Sequence, residues 1–206
     1  EDKNLLRELS ERIAQEAHRL AGTIDDLSQL SQIEHGSKQS FEIIPINYPV
    51  RTAIARVSSV AKQKGLDINL TEDHDLYLMG DHIQITSAIY NLLDNAMKYT
   101  EEDTGKIEIT IKDKDTNIEL TISDNGIGIP EASHTRVFER FYRVDPSRRR
   151  GSGGTGLGLA IVRHVVLNHE GKIVMSSTEG QGTSFTLSFP QQKQNNPETT
   201  PTEGKV

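Results

Sequence analysis

The chain has 206 residues, 23 Lys and Arg against 30 Asp and Glu, and a net charge of −7, a balance that argues against nucleic acid or an anionic membrane surface as a bulk partner. It contains no cysteine, which excludes a disulfide framework, a thiolate metal site and a thiol nucleophile. No apolar run approaches the roughly 20 residues of a membrane span, no signal peptide opens the chain, and the start on EDKNLL reads as a piece of something longer.

Residues 1–34 read as one long helix. Leu6, Leu9, Ile13, Ala17, Leu20, Ile24, Leu27 and Leu30 recur at spacings of three and four, close to a heptad seam. Such a seam needs a partner, because an isolated helix buries nothing. The expectation is a bundle with a second copy or a preceding helix; the plainer alternative is a helix lying back on its own domain. A polar, glycine-containing stretch then makes residues 36–40 a hinge between a segment 1–35 and a domain 41–190. Residues 41–46 alternate as a strand. Asn47 is expected to cap a helix with Pro49 in its first turn, with Val50, Ile54, Val57 and Ala61 buried and Gly65 as its stop. Residues 66–70 and 75–79 are short strands.

Asp81 then caps a central helix, with Gln84 three residues on in a capping-box variant. At about 100° per residue, Ile85, Ile89, Leu92, Leu93 and Ala96 share one arc, and Asn91, Asn95 and Lys98 form a separate narrow stripe. Asparagine is a poor helix-interior residue. Two of them one turn apart, followed by lysine, suggest a working face. Amide oxygens suit a hard cation such as Mg²⁺ shared with phosphates, and the ammonium of Lys98 suits phosphate charge. Residues 106–112 and 117–123 form a hairpin that runs into DNGIGIP. Pro130 and Glu131 are expected to open a short helix carrying Val137, Phe138 and Phe141. Residues 145–154 are basic, glycine-rich and without periodicity, a mobile loop. A helix over 157–168 and strands over 172–177 and 183–189 follow, and residues 191–206 are polar and expected to be disordered.

Three elements carry chemistry if the fold is one mixed sheet under helices. The asparagine stripe is the first. Asp124, at a strand end, is the second: it can accept a hydrogen bond from an exocyclic amine, and Gly126 and Gly128 let a planar ring approach the backbone. As an isolated turn residue it would instead make an Asx bond. The third is GTGLGL at 154–159, whose backbone amides and helix N-terminus form an anion site. It lacks the Gly-Lys-Ser/Thr ending of a P-loop and does not follow a strand as a dinucleotide fingerprint does. What remains is a nucleotide pocket over which the loop 143–156 closes.

The succession NLLDNAMKYT, DNGIGIP, FERFYRVD, GTGLGLAIV and EGQGTSF resembles the ordered boxes of bacterial sensor histidine kinases. The resemblance implies their catalytic ATP-binding domain over residues 41–190, with the Bergerat fold shared with gyrase, mismatch-repair and chaperone ATPases. That fold is an α/β two-layer sandwich, a mixed sheet with helices on one face. Residues 1–35 resemble the second helix of the dimerisation and phosphotransfer hairpin. By this resemblance Asn95, assisted by Asn91, holds Mg²⁺, and Lys98 and Tyr99 face phosphates and ribose. Asp124 reads the adenine amine, in a pocket shaped by Gly126, Gly128 and Ile129. Phe138 and Phe141 anchor the loop base, or are plain core, and Arg143 reaches the γ-phosphate. Gly154, Thr155, Gly156, Leu157, Gly158 and Leu159 surround the phosphates, and Thr183 lines the pocket above the Gly180–Gly182 turn. ATP and Mg²⁺ are the implied ligands, and a response-regulator receiver domain and a second copy, paired through the N-terminal hairpin, the implied partners. The implied location is the cytoplasmic part of a membrane-bound sensor.

The phosphoacceptor box of that family, His followed by Glu or Asp and soon by Arg-Thr-Pro, matches none of His18, His35, His74, His82, His134, His164 or His169. The expectation is a segment that binds ATP·Mg²⁺ but does not phosphorylate itself. Gyrase-like relatives carry Glu where Asn91 stands, to activate water. Asparagine accepts no proton at any useful pH, so hydrolysis should be slow and transfer favoured. A slow ATPase and a nucleotide-sensing dimerisation module are the alternatives.

Overall fold

The computed structural model describes residues 2–35, 41–144 and 154–192. The hinge at 36–40, most of the arginine loop with Arg148, Arg149 and Arg150, and the tail from 193 lie outside the described residues. Among those described, the order is α1 (Asp2–His35), β1 (Glu42–Pro45), α2 (Asn47–Gln63), β2 (Asp67–Glu72), β3 (Tyr77–Gly80), α3 (His82–Tyr99), β4 (Lys106–Lys114) and β5 (Asn117–Asp124). A 3₁₀ turn (Glu131–Ser133), α4 (Gly158–Asn168), β6 (Lys172–Thr178) and β7 (Gly182–Pro190) complete it.

Period-two alternation makes the main sheet. Ile107, Ile109 and Ile111 of β4, Ile118, Leu120 and Ile122 of β5, and Phe185, Leu187 and Phe189 of β7 all point inward and are buried. The strand order is β2-β4-β5-β7-β6, with β2 parallel to β4 and the other neighbours antiparallel. Register sets Ile109 opposite Ile122 and Leu120 opposite Leu187, so the apolar rows meet across strands. Helices α2, α3 and α4 cover that face, and polar side chains such as Thr110, Thr121 and Thr186 line the other. This is the expected two-layer sandwich. The expectation of one sheet needs correction: β1 and β3 pair with each other as a separate two-stranded sheet. Ile44 and Leu78 turn into the core from it, and a bridge from Tyr77 to Gln192 ties it to the chain leaving β7.

The apolar arc of α3 behaves as its spacing predicts, with Ile85, Ile89, Leu92, Leu93 and Ala96 no more than 4 % exposed. Asp81 caps the helix, Oδ1 accepting the N–H groups of Ile83 and Gln84 at 2.8 and 3.2 Å. The return half of the capping box is rebuilt. Gln84 Nε2 donates to the Asp81 carboxylate at 3.3 Å, and the backbone N–H of Asp81 goes to Nε2 of the buried His169 at 3.0 Å. Asn47 does not cap α2. Ile46, fully buried, already has helical φ and ψ of −60° and −29°, so the turn begins before Asn47 and no side chain caps it. The Asn47 side chain donates to Glu72 at 3.2 Å instead.

Residues 131–141 form the 3₁₀ turn and further turns, not the expected helix. Phe141, at φ +63°, closes off any helical continuation. Along α1, Leu30 and Ile33 are buried where the helix meets α4. Leu6, Leu9, Ile13, Leu20, Ile24 and Leu27 are between 43 and 69 % exposed, so most of the seam is uncovered in a single chain. Among the described residues no helix is long and apolar enough to cross a membrane.

Candidate active site

The end of β5 builds one half of the site. Asp124 is half-buried, and its Oδ1 accepts the N–H of Gly126 at 2.9 Å. Burial pushes its carboxyl above the ordinary carboxylate range, and hydrogen bonds from the backbone of Gly126 and Thr183 pull it partly back. Two glycines allow the close packing of the strands and loops around it. A Cβ on Gly182, at φ +116°, would lie 1.9 Å from the carbonyl oxygen of Asp124, and one on Gly128, at φ +68°, would lie 2.1 Å from that of Thr178. A shallow depression of about 230 Å³ at this end of the sheet opens on its polar face, between Ser123, Ser176 and Ser184, with Asp124, Ser177 and Thr183 interleaved along the same strands and turned to the helix-covered face.

Hydrogen bonds lock this end. Ile129 donates its N–H to Ser177 Oγ at 2.8 Å, and its carbonyl lies 2.8 Å from His134 Nε2. Gly180 N–H reaches the carbonyl of Ile127 at 2.7 Å. The glycine loop is also tied to α3, because Ile127 N–H donates to the carbonyl of Tyr99 at 3.0 Å. Tyr99 thus contributes its backbone here, and its ring is half exposed.

The second half lies along α3 and the start of α4. Asn91 and Asn95 are both half-buried and one turn apart, hence on one face. Asn91 Nδ2 donates to the carbonyl of Ser87 at 3.0 Å, and its Oδ1 is the atom a Cβ on Gly158 would meet at 2.9 Å. Lys98 is ion-paired with Asp94 one turn earlier. Leu157 is fully buried ahead of α4, and no side chain caps that helix. Its first amides therefore have no acceptor within the helix. Thr155 Oγ1 accepts the N–H of Leu157 at 3.1 Å. Leu159 packs half-buried against the core. The carbonyl of Gly156 receives the N–H of Phe141 at 2.9 Å, closing the base of the arginine loop near Gly154, with Arg143 half-buried two residues on. Phe138 packs against the core and meets Phe185 edge-on at 6.3 Å, which favours its reading as core.

The two halves share α3 but not one cavity. The space beside Asp124 is lined by neither Asn91, Asn95 nor Lys98. A larger cavity of about 390 Å³, bounded by Phe41, Met79, His169 and Gln192, sits at the Pro190 end of β7, away from Thr183. Three residues were not singled out from the sequence. Asp94 stands four residues before Lys98, a spacing that signals an ion pair. Ser177 sits among serines and threonine with no distinguishing pattern. Asp26 of α1 accepts the hydroxyl proton of Thr155 at 2.6 Å. Burial raises its carboxyl, against the pull of Thr155 and Lys98, and Asp94 and Asp25 push it up further.

The profile of the histidine kinase-, DNA gyrase B- and HSP90-like ATPase family matches residues 80–193, more than half the chain. The sensor-like histidine kinase SenX3 of Mycolicibacterium smegmatis is 37 % identical over 192 residues, covering 93 % of this chain and 50 % of that protein. The sensor protein kinase WalK of Staphylococcus aureus is 36 % identical over 192 residues, covering 92 % of this chain and 46 % of that one. The chain thus spans about half the length of the curated relatives it matches. Among solved structures, the catalytic domain of the histidine kinase ThkA aligns with a TM-score of 0.65 at 29 % identity, over 73 % of this chain and 95 % of that one. The mycobacterial sensor histidine kinase MprB aligns with 0.63 at 29 %, over 74 % and 98 %. The profile and the sequence identities, with a fold and box order that agree with them, make this chain a member of the histidine kinase-, DNA gyrase B- and HSP90-like ATPase family, on its sensor histidine kinase branch.

Proposed function

We propose that the domain binds ATP with Mg²⁺ and directs the γ-phosphoryl group to a histidine on a phosphoacceptor helix, for relay to an aspartate of a response-regulator receiver domain. The observation that carries the reading is Asp124, a half-buried carboxylate at the end of β5, held by backbone N–H groups on the face of the sheet that α3 and α4 cover. Such an acceptor suits the exocyclic amine of adenine. The triphosphate then lies along α3 towards Gly156, Gly158 and the amides that open α4.

Asn91 and Asn95 fit a magnesium ion. The Asn91 nitrogen is occupied by the carbonyl of Ser87, which leaves its oxygen as the end turned to Gly158. Among the described residues no group of three or more His, Cys, Asp and Glu converges, so amide and phosphate oxygens are the donor set, as for a cation that keeps its waters. When bound, the ion neutralises charge on the phosphate oxygens. Lys98, exchanging Asp94 for phosphate, and Arg143 supply further positive charge. In the transfer, an imidazole nitrogen bonds to the γ-phosphorus as the bond to the bridging oxygen breaks. ADP leaves with the electron pair, and the imidazole proton passes to solvent. Asn91 cannot take a proton from water, so hydrolysis stays slow. In the whole protein, the exposed seam of α1 pairs with a second copy, and the domain works on the cytoplasmic side of a membrane-bound sensor.

Nucleotide titration with Mg²⁺ tests binding, and labelled ATP with a separately supplied phosphoacceptor hairpin tests transfer. Label on the hairpin histidine is the expected result. Phosphate released steadily without an acceptor, and none on the hairpin, would refute the kinase reading.

A further inference from the structure

Ser177 of β6 stands opposite Thr183 of β7, and its single hydroxyl has three neighbours. It accepts the N–H of Ile129 at 2.8 Å, donates to the carbonyl of Gly182 at 2.9 Å, and lies 2.9 Å from the hydroxyl of Thr183. A serine hydroxyl has one proton and two lone pairs. A carbonyl only accepts, so Gly182 takes that proton. The contact with Thr183 then needs a proton from Thr183 itself. Both lone pairs of Ser177 are filled, and the direction of the network is fixed. Thr183, 7 % exposed, stands opposite Asp124 across β5 and β7, with both side chains on the helix-covered face of the sheet. With its proton committed to Ser177, it has lone pairs alone to offer a ligand.

Resting on the reading of Asp124 as the base end of an ATP site, we infer that Ser177 is a positioning residue that sets nucleotide specificity. By taking the hydroxyl proton of Thr183, it makes Thr183 an acceptor beside the acceptor Asp124. A 6-amino purine offers two protons to these two groups. A 6-oxo purine offers a carbonyl oxygen, which meets lone pairs on both. In Ser177→Ala the proton of Thr183 loses its acceptor and turns to the ligand. Thr183 can then donate to a 6-oxo group, and Ile129 N–H loses its partner.

The test compares dissociation constants for ATP and inosine triphosphate, each with Mg²⁺, by competition against a fluorescent nucleotide. The native chain should prefer ATP. Ser177→Ala should cut that preference by about tenfold, the worth of one hydrogen bond whose sense is reversed, whereas Ser177→Thr should keep it. Loss of a structural prop would weaken both nucleotides alike and leave their ratio standing. Thr183→Val preserves shape and removes the same acceptor, so it should lower the ratio even where Ser177→Ala does not fold. A ratio within about twofold of the native one in the folded variants overturns the role given to Ser177 alone. A native chain that binds neither nucleotide overturns the ATP reading and this inference with it.

Discussion

Replacing Asp124 with asparagine separates a functional carboxylate from a structural one. One Asp124 oxygen already serves the N–H of Gly126, and the Thr183 backbone also donates to the carboxylate. A carboxylate meets those donors and still offers lone pairs to a ligand. An asparagine has one acceptor oxygen. If it faces the backbone donors, its NH₂ faces the purine amine, donor against donor. If it flips, the backbone N–H groups lose their acceptor. The lost contact is a hydrogen bond to a charged group, worth about 1.5–3 kcal/mol, so ATP affinity should fall about 10- to 150-fold. Stability should move the other way or not at all. The folded-state pKa of Asp124 is raised above its unfolded value, so folding favours the protonated form. Below the unfolded value both states are protonated and the group contributes nothing. As pH rises from there through the raised value, stability falls, and at neutral pH the charged group is a cost that asparagine removes. The assays are calorimetric titration with ATP·Mg²⁺ and thermal melting across pH. A variant that binds ATP as the native chain does, or that binds weakly because it melts early, would refute the argument.

Asn95→Ala should abolish the Mg²⁺-dependent part of ATP affinity and leave binding in excess chelator unchanged, measured by titration in both buffers. Gly182→Ala places a methyl 1.9 Å from the Asp124 carbonyl at φ +116°. It should destabilise the domain by at least about 2 kcal/mol in urea unfolding, and a midpoint unchanged from native would contradict the packing described. Asp26→Asn keeps an acceptor for the Thr155 hydroxyl and removes a negative charge near Lys98. If the phosphates lie there, affinity for ATP should rise about 2- to 10-fold with no loss of melting temperature; a fall in affinity would place the triphosphate elsewhere.

The parts of the fold written in side-chain period were legible. Residues 85, 89, 92, 93 and 96 specify the buried arc of α3, and the alternating isoleucines of β4 and β5 specify which face of the sheet is dry. Residue type misled where a neighbour decides. Asn47 is a good cap by chemistry, but the fully buried Ile46 draws the helix start one residue earlier. The separate pairing of β1 with β3 was not legible, because four-residue strands find partners through tertiary packing. Asp124 and the asparagine stripe stood out because polar residues occupied positions where period alone gave no reason for them. Ser177 did not, because its role comes from the β6–β7 register, which no local pattern records. Asp26 shares the α4-facing side of α1 with Leu30 and Ile33, and its partner Thr155 is 129 residues away, so no local pattern marks it.

The position of α3 is what joins the two halves of the site, and it is held at both ends by groups outside the phosphate face. At its start, the Asp81 N–H is taken by His169 at the end of α4, and Gln84 Oε1 accepts from Asn168 at 3.0 Å. His169 is itself fixed, with Nδ1 2.7 Å from the carbonyl of Val165 and its ring stacked on Phe41 at 4.5 Å. At the other end, the Tyr99 carbonyl holds Ile127 of the glycine loop that follows Asp124. Between these pins, the buried arc sets the rotation of the helix, because turning it by one residue, about 100°, so that Asn91 took the place of Leu92 would carry the buried Leu93 out to the half-exposed position of Asp94. Asn91 therefore faces Gly158 for reasons of packing, not of ligand contact. A site whose donors are aimed by the core is organised before the nucleotide arrives. On the reading proposed above, affinity is then not spent on ordering these side chains, which leaves it for aligning the phosphates.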